Sequence, residues 1–331
     1  MEESTSITEN ALMERIQKFF DEFHLSALQR AGALKFIKEK ISNPDDQSVN
    51  HIREWILAKL NNKRIPPIAP MQRGCPEIIP GLRAQPWWDA NDFPWVRDIE
   101  ANYELIKAEL LSLYQKGGFQ PYRGPSWAVG VPSQDVGTQS HTSGDWNVFY
   151  LYLHGMTFDE NLAKCPETVR VINDLIPRHY EHAFFSALNP GTHVLPHHGP
   201  TNKKLRLHLP IIDLSGTRLR AAEETRTFEE GKVAIFDDSF EHEAWHEGTT
   251  TRVNLIIDFW HPDLSDAEVK FLKILQNSKI RAEKEITSNE EDTFYSVIER
   301  AKEIRPGDNS WWCLSEENER ALINAGSQEE N

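Results

Sequence analysis

The sequence predicts an α+β protein whose centre is a double-stranded β-helix, a jelly roll of the cupin-like type, flanked by N- and C-terminal helices. Three observations support this fold class. Apolar residues recur at helical spacing near the beginning of the chain, short runs that alternate between polar and apolar residues fill its middle, and a helix-capping pattern introduces its final part. The 331 residues, of which 39% are hydrophobic, suffice for one large domain or two ordinary ones.

The beginning of the chain has the pattern of helices. Within residues 8–61, Ile16, Phe19 and Phe23 are spaced so that they fall on one helical face. The proline-rich stretch "NNKRIPPIAP" then interrupts the pattern. We therefore predict a helical N-terminal extension over residues 1–70.

The middle of the chain contains strands with one polar face. In "KKLRLHLPI", Lys204, Arg206 and His208 lie on one side of an extended strand, because neighbouring side chains point to opposite faces. In "TTRVNLIIDFWHP", Arg252 and Asp258 share a face in the same way. Each pattern alone is also typical of a strand exposed to solvent. Several such strands in sequence favour a jelly roll that collects the polar faces in one lumen.

The last part of the chain begins with a helix-capping signal. In "PDLSDAEVKFLKIL", Ser265 and Glu268 have the spacing of a capping box ahead of an apolar helical pattern. We therefore predict a double-stranded β-helix domain over residues 71–265 and a C-terminal helical extension over residues 266–331.

Charge and cysteine content restrict the partners and the compartment. The net charge is −15 and no long basic run is present, which argues against nucleic acid and anionic membrane surfaces as partners. No stretch approaches the ~20 apolar residues that a membrane helix needs. Cys75, Cys165 and Cys313 are far apart and odd in number, which favours a reducing, cytoplasmic compartment.

The stretch "GTHVLPHHGPTNKKLRLHLPI" contains the strongest chemical signal. A non-haem iron(II) site uses two histidines and one carboxylate, with open positions for O₂ and substrate. His197 and the later His242 have the order of such ligands, but Gly199 stands where the carboxylate is usual. Arg252 follows at a distance that suits a dicarboxylic cosubstrate, because a guanidinium binds a carboxylate with two parallel hydrogen bonds. Without a third ligand, this spacing also arises by coincidence.

Longer motifs link the chain to a known family. It resembles the aspartyl/asparaginyl β-hydroxylase family of iron(II)- and 2-oxoglutarate-dependent oxygenases. The family lacks the usual iron-binding carboxylate and has glycine at that place, as Gly199 is here. The motifs that carry the resemblance are "PGLRAQPWW" (80–88), "GDW" (144–146), "PGTHVLPHHGPTNKKLRLHLPI" (190–211) and "FDDSFEHEAWH" followed by "RVNLIIDFWHPDL" (236–264).

The resemblance implies cofactors and a set of site residues. The cofactors are iron(II), 2-oxoglutarate and O₂, with succinate and CO₂ as coproducts of hydroxylation at an unactivated carbon. His197 and His242 would bind the iron. The cosubstrate would be held by Ser186, Arg206, His208 and Arg252. His193 and His198 have no such role and are expected to be structural or surface residues.

The substrate side is less defined by the motifs. Lys204, Asp238 and His141 are candidates for substrate contact, although Asp237 and Asp238 have an alternative interpretation as a turn at a strand end. No membrane anchor or lumenal targeting segment is seen, so we expect a small-molecule substrate, a free or derivatised amino acid hydroxylated at its β-position.

Two alternatives remain at this stage. The same cofactor chemistry can lead to halogenation, desaturation or ring closure, and glycine in place of the carboxylate would leave room for a halide. The second alternative is a non-catalytic jelly-roll protein that binds an anionic metabolite.

Overall fold

The computed structural model describes residues 9–114, 116–122, 146–287 and 312–329. Within these ranges the helices lie outside two antiparallel sheets. They are α1 Glu9–Glu22, α2 Ala27–Phe36, α3 Asn50–Leu60, α4 Val96–Ala101, α5 Tyr103–Ser112, α6 Asp159–Lys164, α7 Pro166–Leu175, α8 Asp266–Thr287 and α9 Glu316–Glu329. A π-helical turn, Ile37–Ile41, continues α2, and 3₁₀ turns form at Gln47–Val49, Pro70–Gln72 and Ala90–Asp92.

The strands form one large and one small sheet. They are β1 Trp87–Trp88, β2 Gln120–Pro121, β3 Trp146–Leu153, β4 Met156–Thr157, β5 His179–Leu188, β6 Thr192–His197, β7 Lys204–Ile212, β8 Thr217–Ala221, β9 Glu224–Thr227, β10 Ala234–Phe236, β11 His242–His246 and β12 Arg252–Trp260. In the described part of the chain, the large sheet has the order β1-β10-β7-β12-β5-β3-β2, with β4 beside β3, and the small sheet has the order β6-β11-β8-β9. This arrangement confirms the predicted α+β fold with a double-stranded β-helix core.

The two faces of the large sheet have different surroundings. Leu205, Leu207 and Leu209 of β7 point into a hydrophobic core that they share with α4, α5 and α7. The opposite face of β7 points into the lumen between the two sheets. Lys204 and His208 are buried there, so the interpretation of this strand as an exposed amphipathic strand is wrong.

The N-terminal helices and α8 share one hydrophobic cluster. Phe20 of α1, Trp55 of α3 and Leu272 of α8 are buried together, and Trp260 at the end of β12 belongs to the same cluster. Helix–helix packing of this kind buries the apolar face that each amphipathic helix would otherwise expose. The N-terminal helices and α8 are therefore joined to each other and to one end of the large sheet.

The capping box predicted at α8 is present and also contacts α3. The Ser265 amide donates to the Glu268 carboxylate (2.8 Å), and the Glu268 amide donates to the Ser265 hydroxyl (3.1 Å). The same carboxylate accepts hydrogen bonds from the amides of His51 and Ile52, in the first turn of α3. One buried carboxylate thus satisfies free amides at two helix N-termini. None of the helices in the described ranges is both long and apolar enough to cross a membrane.

Candidate active site

Two histidines lie side by side on neighbouring strands of the small sheet. His197 ends β6 and His242 begins β11, and the antiparallel register of these strands places the two residues side by side, with ring centroids 4.1 Å apart. The Nδ1 atoms lie 2.7 Å from the carbonyl of Leu195 and 2.9 Å from that of Phe240. Each Nδ1–H therefore donates to the backbone, which leaves the lone pair of Nε2 available for a metal ion.

Both imidazoles are neutral at ordinary pH. Burial lowers the pKa of His197, and it holds the pKa of His242 well below the usual range, with a further contribution from the neighbouring His197 ring. Neutral imidazole is the form that ligates metals, so the environment favours ligation over protonation.

The carboxyl group of Asp238 fills the space beside Gly199. A Cβ atom at position 199 would lie 2.5 Å from the Asp238 Cγ, and the Gly199 amide donates to the Asp238 carbonyl at 2.6 Å. The Asp238 Oδ1 is buried and accepts no hydrogen bond from the described residues. Glycine is thus required at 199 because the carboxylate of Asp238, from the turn that follows β10, occupies the position that a side chain would take.

The donor set fits a metal ion held by two protein ligands. Within the described residues, no three side chains of the histidine, cysteine, aspartate or glutamate type come together as a metal-binding group. The paired Nε2 atoms of His197 and His242 remain as ligands, and the unpartnered Asp238 Oδ1 offers an acceptor nearby for a hydrogen bond. Iron(II) accepts imidazole ligands and tolerates open positions, so these residues fit it.

Arg252 is a buried cation without an ion-pair partner. It begins β12, is 2% exposed and forms no salt bridge within the described part of the chain. Its Nη1 lies 3.5 Å from the Ser186 carbonyl, and its Nε has no hydrogen-bond partner there. Burial lowers its pKa to about 9. Because a buried unpaired charge is costly, this guanidinium is a ready site for an anion.

Ser186 and His208 lie on the strands that flank β12. Asn254 of β12 stands opposite Ser186 of β5, and the Asn254 amide lies 3.4 Å from the His208 Nδ1. Ser186 accepts a hydrogen bond from the Trp146 indole at 3.0 Å. Burial, followed by the positive charge of Arg252, holds the pKa of His208 well below its usual range. Two neutral polar groups therefore lie close to the unpaired guanidinium.

Arg206 is already paired with carboxylates. Its guanidinium donates to Asp258 through Nε at 2.8 Å and through Nη2 at 2.9 Å, and its Nη1 lies 3.4 Å from Asp238. The structure thus brings Arg206 to the same lumen as Arg252 but gives it different partners. Its contact with the cosubstrate, which the family resemblance implies, stays a prediction.

Lys204 completes a buried group of four charges. Its ammonium lies 2.7 Å from Asp238 and 2.9 Å from Asp258, and the side chain is fully buried. Burial disfavours the charged form of Asp258, but the charges of Arg206 and Lys204 outweigh it and hold the pKa of that carboxyl well below its usual range. The role of Asp258 was missed in the sequence, although alternation had placed it on the face of Arg252.

The remaining predicted residues have varied surroundings. Asp237 accepts a hydrogen bond from the Ser239 amide at 2.9 Å, which is the strand-end turn that was its alternative interpretation. His193 contacts Glu243 at 2.9 Å, and His198 contacts the Met71 carbonyl at 3.2 Å, as expected of structural histidines. His141 lies outside the described residues.

The fold and the site together define a cupin-like jelly-roll protein with a candidate two-histidine metal centre. The sequence profile of the family described as "Aspartyl/Asparaginyl beta-hydroxylase" matches residues 100–262. This match confirms the resemblance predicted from the motifs, and residues 100–262 are similar to the aspartyl/asparaginyl β-hydroxylase family.

Individual relatives agree with this assignment. The chain is 36% identical over 203 residues to the aspartyl/asparaginyl beta-hydroxylase of Mus musculus, covering 59% of this chain and 26% of that protein. It is 36% identical over 185 residues to the ornithine lipid ester-linked acyl 2-hydroxylase of Rhizobium tropici, covering 55% of this chain and 63% of that protein. The chain therefore spans about a quarter of one relative and less than two thirds of the other.

A solved structure that matches part of the chain is an oxidoreductase of the 2OG-Fe(II) oxygenase family from Burkholderia pseudomallei. Its TM-score is 0.35 at 10% identity, covering 52% of this chain and 93% of that one. An overlap of this size is too small to support a conclusion about chemistry.

Proposed function

We propose that this chain is an iron(II)- and 2-oxoglutarate-dependent oxygenase that hydroxylates an unactivated carbon of a free or derivatised amino acid. The observation that carries the proposal is Arg252, a buried guanidinium without an ion-pair partner in the described part of the chain, in the same lumen as two imidazoles with available Nε2 atoms. A metal site combined with an unpaired buried cation is what a chelating dicarboxylate requires.

Each residue of the site has a distinct task in this proposal. His197 and His242 would hold iron(II) through Nε2, while their backbone hydrogen bonds keep the rings in orientation. Arg252 would bind the distal carboxylate of 2-oxoglutarate with two parallel hydrogen bonds. When bound, iron and 2-oxoglutarate supply the activation of O₂, with succinate and CO₂ as coproducts.

Ser186 and His208 would complete the cosubstrate pocket. Because Trp146 already donates to the Ser186 oxygen, the hydroxyl hydrogen of Ser186 is free to point toward a carboxylate. If the His208 Nδ1 accepts from the Asn254 amide, its Nε2–H becomes a second donor. Neutral donors beside one cation stabilise an anion without adding charges that would need partners of their own.

The position of Asp238 supports hydroxylation over halogenation. A halide would need the space that glycine leaves beside the metal, but the Asp238 carboxyl group lies against Gly199. A carboxylate in that space would repel a halide. Its unpartnered Oδ1 is suited to accept a hydrogen bond from a water on the metal. Both relatives reported above are named as hydroxylases, which supports the same outcome.

The experiment that tests this function is an anaerobic titration of the metal-free protein with iron(II) and 2-oxoglutarate, followed by visible absorption. We expect a weak charge-transfer band for the wild type and its loss in His242→Ala. In Arg252→Ala the dissociation constant of 2-oxoglutarate should rise at least about 30-fold, because removal of one partner of a buried charge pair costs about 2 kcal/mol or more.

The matched control is His193→Ala, since His193 lies on the same strand as His197 but bonds to Glu243 and stacks on Trp245. This variant should keep both the band and the affinity. No band in the wild type, with tight anion binding instead, would contradict the proposed function and favour a non-catalytic binding protein. An unchanged band in His242→Ala, or unchanged affinity in Arg252→Ala, would contradict the roles assigned to these residues.

A further inference from the structure

Apart from Arg252, the lumen has no unpaired positive charge among the described residues. Lys204 and Arg206 are its other cations, and Asp238 and Asp258 are its anions. Each cation contacts both carboxylates, so the four charges cancel. Lys204, Asp238 and Asp258 are at most 1% exposed, which leaves water little part in screening them.

A buried apolar cluster lies next to this neutral group, because the Tyr122 hydroxyl is close enough to feel the charges of Arg206, Asp238 and Asp258. It combines aromatic and aliphatic side chains that pack as one cluster, and we call it the apolar wall. It consists of Tyr122, Trp146, Val148, Tyr150, Phe184, Ile256 and Ile280. Tyr122 and Trp146 stack with ring centroids 3.7 Å apart and an interplanar angle of 8°.

The apolar wall lies on the same face of the sheet as the cosubstrate residues. Alternation along β5 places Phe184 with Ser186, and alternation along β12 places Ile256 with Arg252. Trp146 joins the two parts, because its indole donates to Ser186 while its ring packs in the wall. A molecule held beside the iron and 2-oxoglutarate would therefore meet the wall.

A carboxylate brought to this surface would find no free cation other than Arg252 in the described part of the lumen. To reach Lys204 or Arg206 it would have to displace Asp238 or Asp258, or be buried beside them as a third negative charge. An apolar group would have the opposite effect, since it covers apolar surface and leaves the four charges paired.

We propose that the substrate places an uncharged apolar side chain, aliphatic or aromatic, against the wall formed by Tyr122, Trp146, Phe184 and Ile256, and that an aspartyl-type carboxylate is rejected. This inference rests on the proposed function, because it takes the iron and 2-oxoglutarate site as the place of reaction. It names the class of amino acid on which that site acts.

The test measures binding to the protein loaded with manganese(II) and 2-oxoglutarate, by isothermal titration calorimetry. The probes are N-acetyl-leucinamide, N-acetyl-phenylalaninamide and the α-amide of N-acetyl-aspartate. At least one apolar probe should bind about 10-fold or more tightly than the aspartyl probe. Equal affinities, a preference for the aspartyl probe, or no binding of either apolar probe at millimolar concentration would overturn the inference.

Two variants test the physical reason. Asp258→Asn removes one negative charge and should tighten binding of the aspartyl probe about 10-fold while changing that of the apolar probes less than about 2-fold. Asp266→Asn is the matched control, because Asp266 is exposed and pairs only with Arg178 at 3.4 Å within the described residues. No gain for the aspartyl probe in folded Asp258→Asn would overturn the charge argument.

Phe184→Ala keeps the inference testable if Asp258→Asn does not fold. It removes a large part of the wall without a change of charge, and should weaken the apolar probes about 10-fold while leaving the aspartyl probe unchanged. The weaker binding of the apolar probes supports the inference only if Phe184→Ala still binds 2-oxoglutarate as the wild type does. Failure of the wild type to bind 2-oxoglutarate contradicts the proposed function instead, and the affinities of the three probes are then compared in the protein loaded with manganese(II) alone.

Discussion

At the scale of single residues, Gly199 shows what a sequence motif leaves open. The motif indicates that the usual carboxylate is absent, and glycine there is compatible with an empty space or with one filled from elsewhere. In the fold, the Asp238 carboxyl group fills it and is held by Lys204 at 2.7 Å. Which side chain approaches position 199 depends on the packing of distant segments, and local sequence does not record it.

Substitution of Gly199 by alanine should destabilise the protein. The new Cβ would lie 2.5 Å from the Asp238 Cγ, and this carboxylate cannot move without breaking its buried ion pair. We expect the free energy of unfolding to fall by about 1–3 kcal/mol, as in other overpacked sites. Urea denaturation of the metal-free protein measures this change.

The matched control is Gly32→Ala. Gly32 lies in α2 and a Cβ there meets no atom within 4 Å, so alanine should stabilise the helix by about 0.5–1 kcal/mol. Equal effects of the two substitutions would show that crowding at position 199 is not the cause.

The pairing of Arg206 with Asp258 shows a second limit of sequence reasoning. Alternation correctly places both residues on the polar faces of β7 and β12. Their contact depends on the register of the two strands, in which Asp258 stands opposite Arg206. A shift by one residue would turn every side chain of a strand to the other face, and only the assembled core determines which register is stable.

At the scale of elements, Glu268 connects α8 with α3. Its carboxylate accepts from the amides of Ser265, His51 and Ile52, and the side chain is 1% exposed. The Glu268 amide in turn bonds to the Ser265 hydroxyl. The capping box was predictable because it involves residues three positions apart. The bond to α3 was not, because it joins segments more than two hundred residues apart in sequence.

Replacement of Glu268 by alanine should therefore cost more than the loss of an ordinary helix cap. An N-terminal capping interaction contributes about 1 kcal/mol, and each buried donor left without a partner adds a desolvation cost of similar size. We expect the free energy of unfolding to fall by about 2–3 kcal/mol, measured by urea denaturation.

The comparison variant is Glu316→Ala. Glu316 is also an acidic residue in the first turn of a helix, but it is exposed and pairs with Arg320 one turn later. Exposed pairs of this kind contribute a few tenths of a kcal/mol. If Glu268→Ala were no more destabilising than Glu316→Ala, the link between α3 and α8 would contribute nothing to stability.

The pairing of β6 with β11 has the same non-local origin as the contact of Glu268 with α3. Sequence order suggested His197 and His242 as partners, and the family resemblance assigned both to iron. Only the antiparallel register places the two rings 4.1 Å apart and points each Nδ1 to a backbone carbonyl. The available Nε2 atoms are thus a property of the folded sheet.

At the scale of the whole molecule, the fold buries many neutral histidines. Burial lowers the pKa of His154 to about 3 and that of His261 to about 4. The pKa values of other buried histidines are lowered as well, namely those of His182, His197, His208 and His242. Asp237 has the opposite effect, because burial raises the pKa of its carboxyl group to about 7.

These shifts predict that the metal-free protein loses stability as the pH falls from about 6.5 toward 4. In this window the unfolded state takes up protons on histidines that stay neutral in the folded state, so the free energy of unfolding decreases with decreasing pH. His154 and His261 together contribute up to about 2.7 kcal/mol per pH unit, and Asp237, protonated only in the folded state, offsets about 1.4 of this. With the other histidines, the net slope should be at least about 1.4 kcal/mol per pH unit. Urea unfolding at pH 6.5, 5.5 and 4.5 measures this slope.

Two variants should change the slope in opposite directions. His261→Gln removes one histidine that is neutral in the folded state and should flatten the slope by about 1.4 kcal/mol per pH unit. Asp237→Asn removes the opposing carboxyl group and should steepen the slope by about the same amount. A slope that is flat in the wild type, or that responds to both variants in the same direction, would contradict the assignment of neutral buried histidines to the folded state.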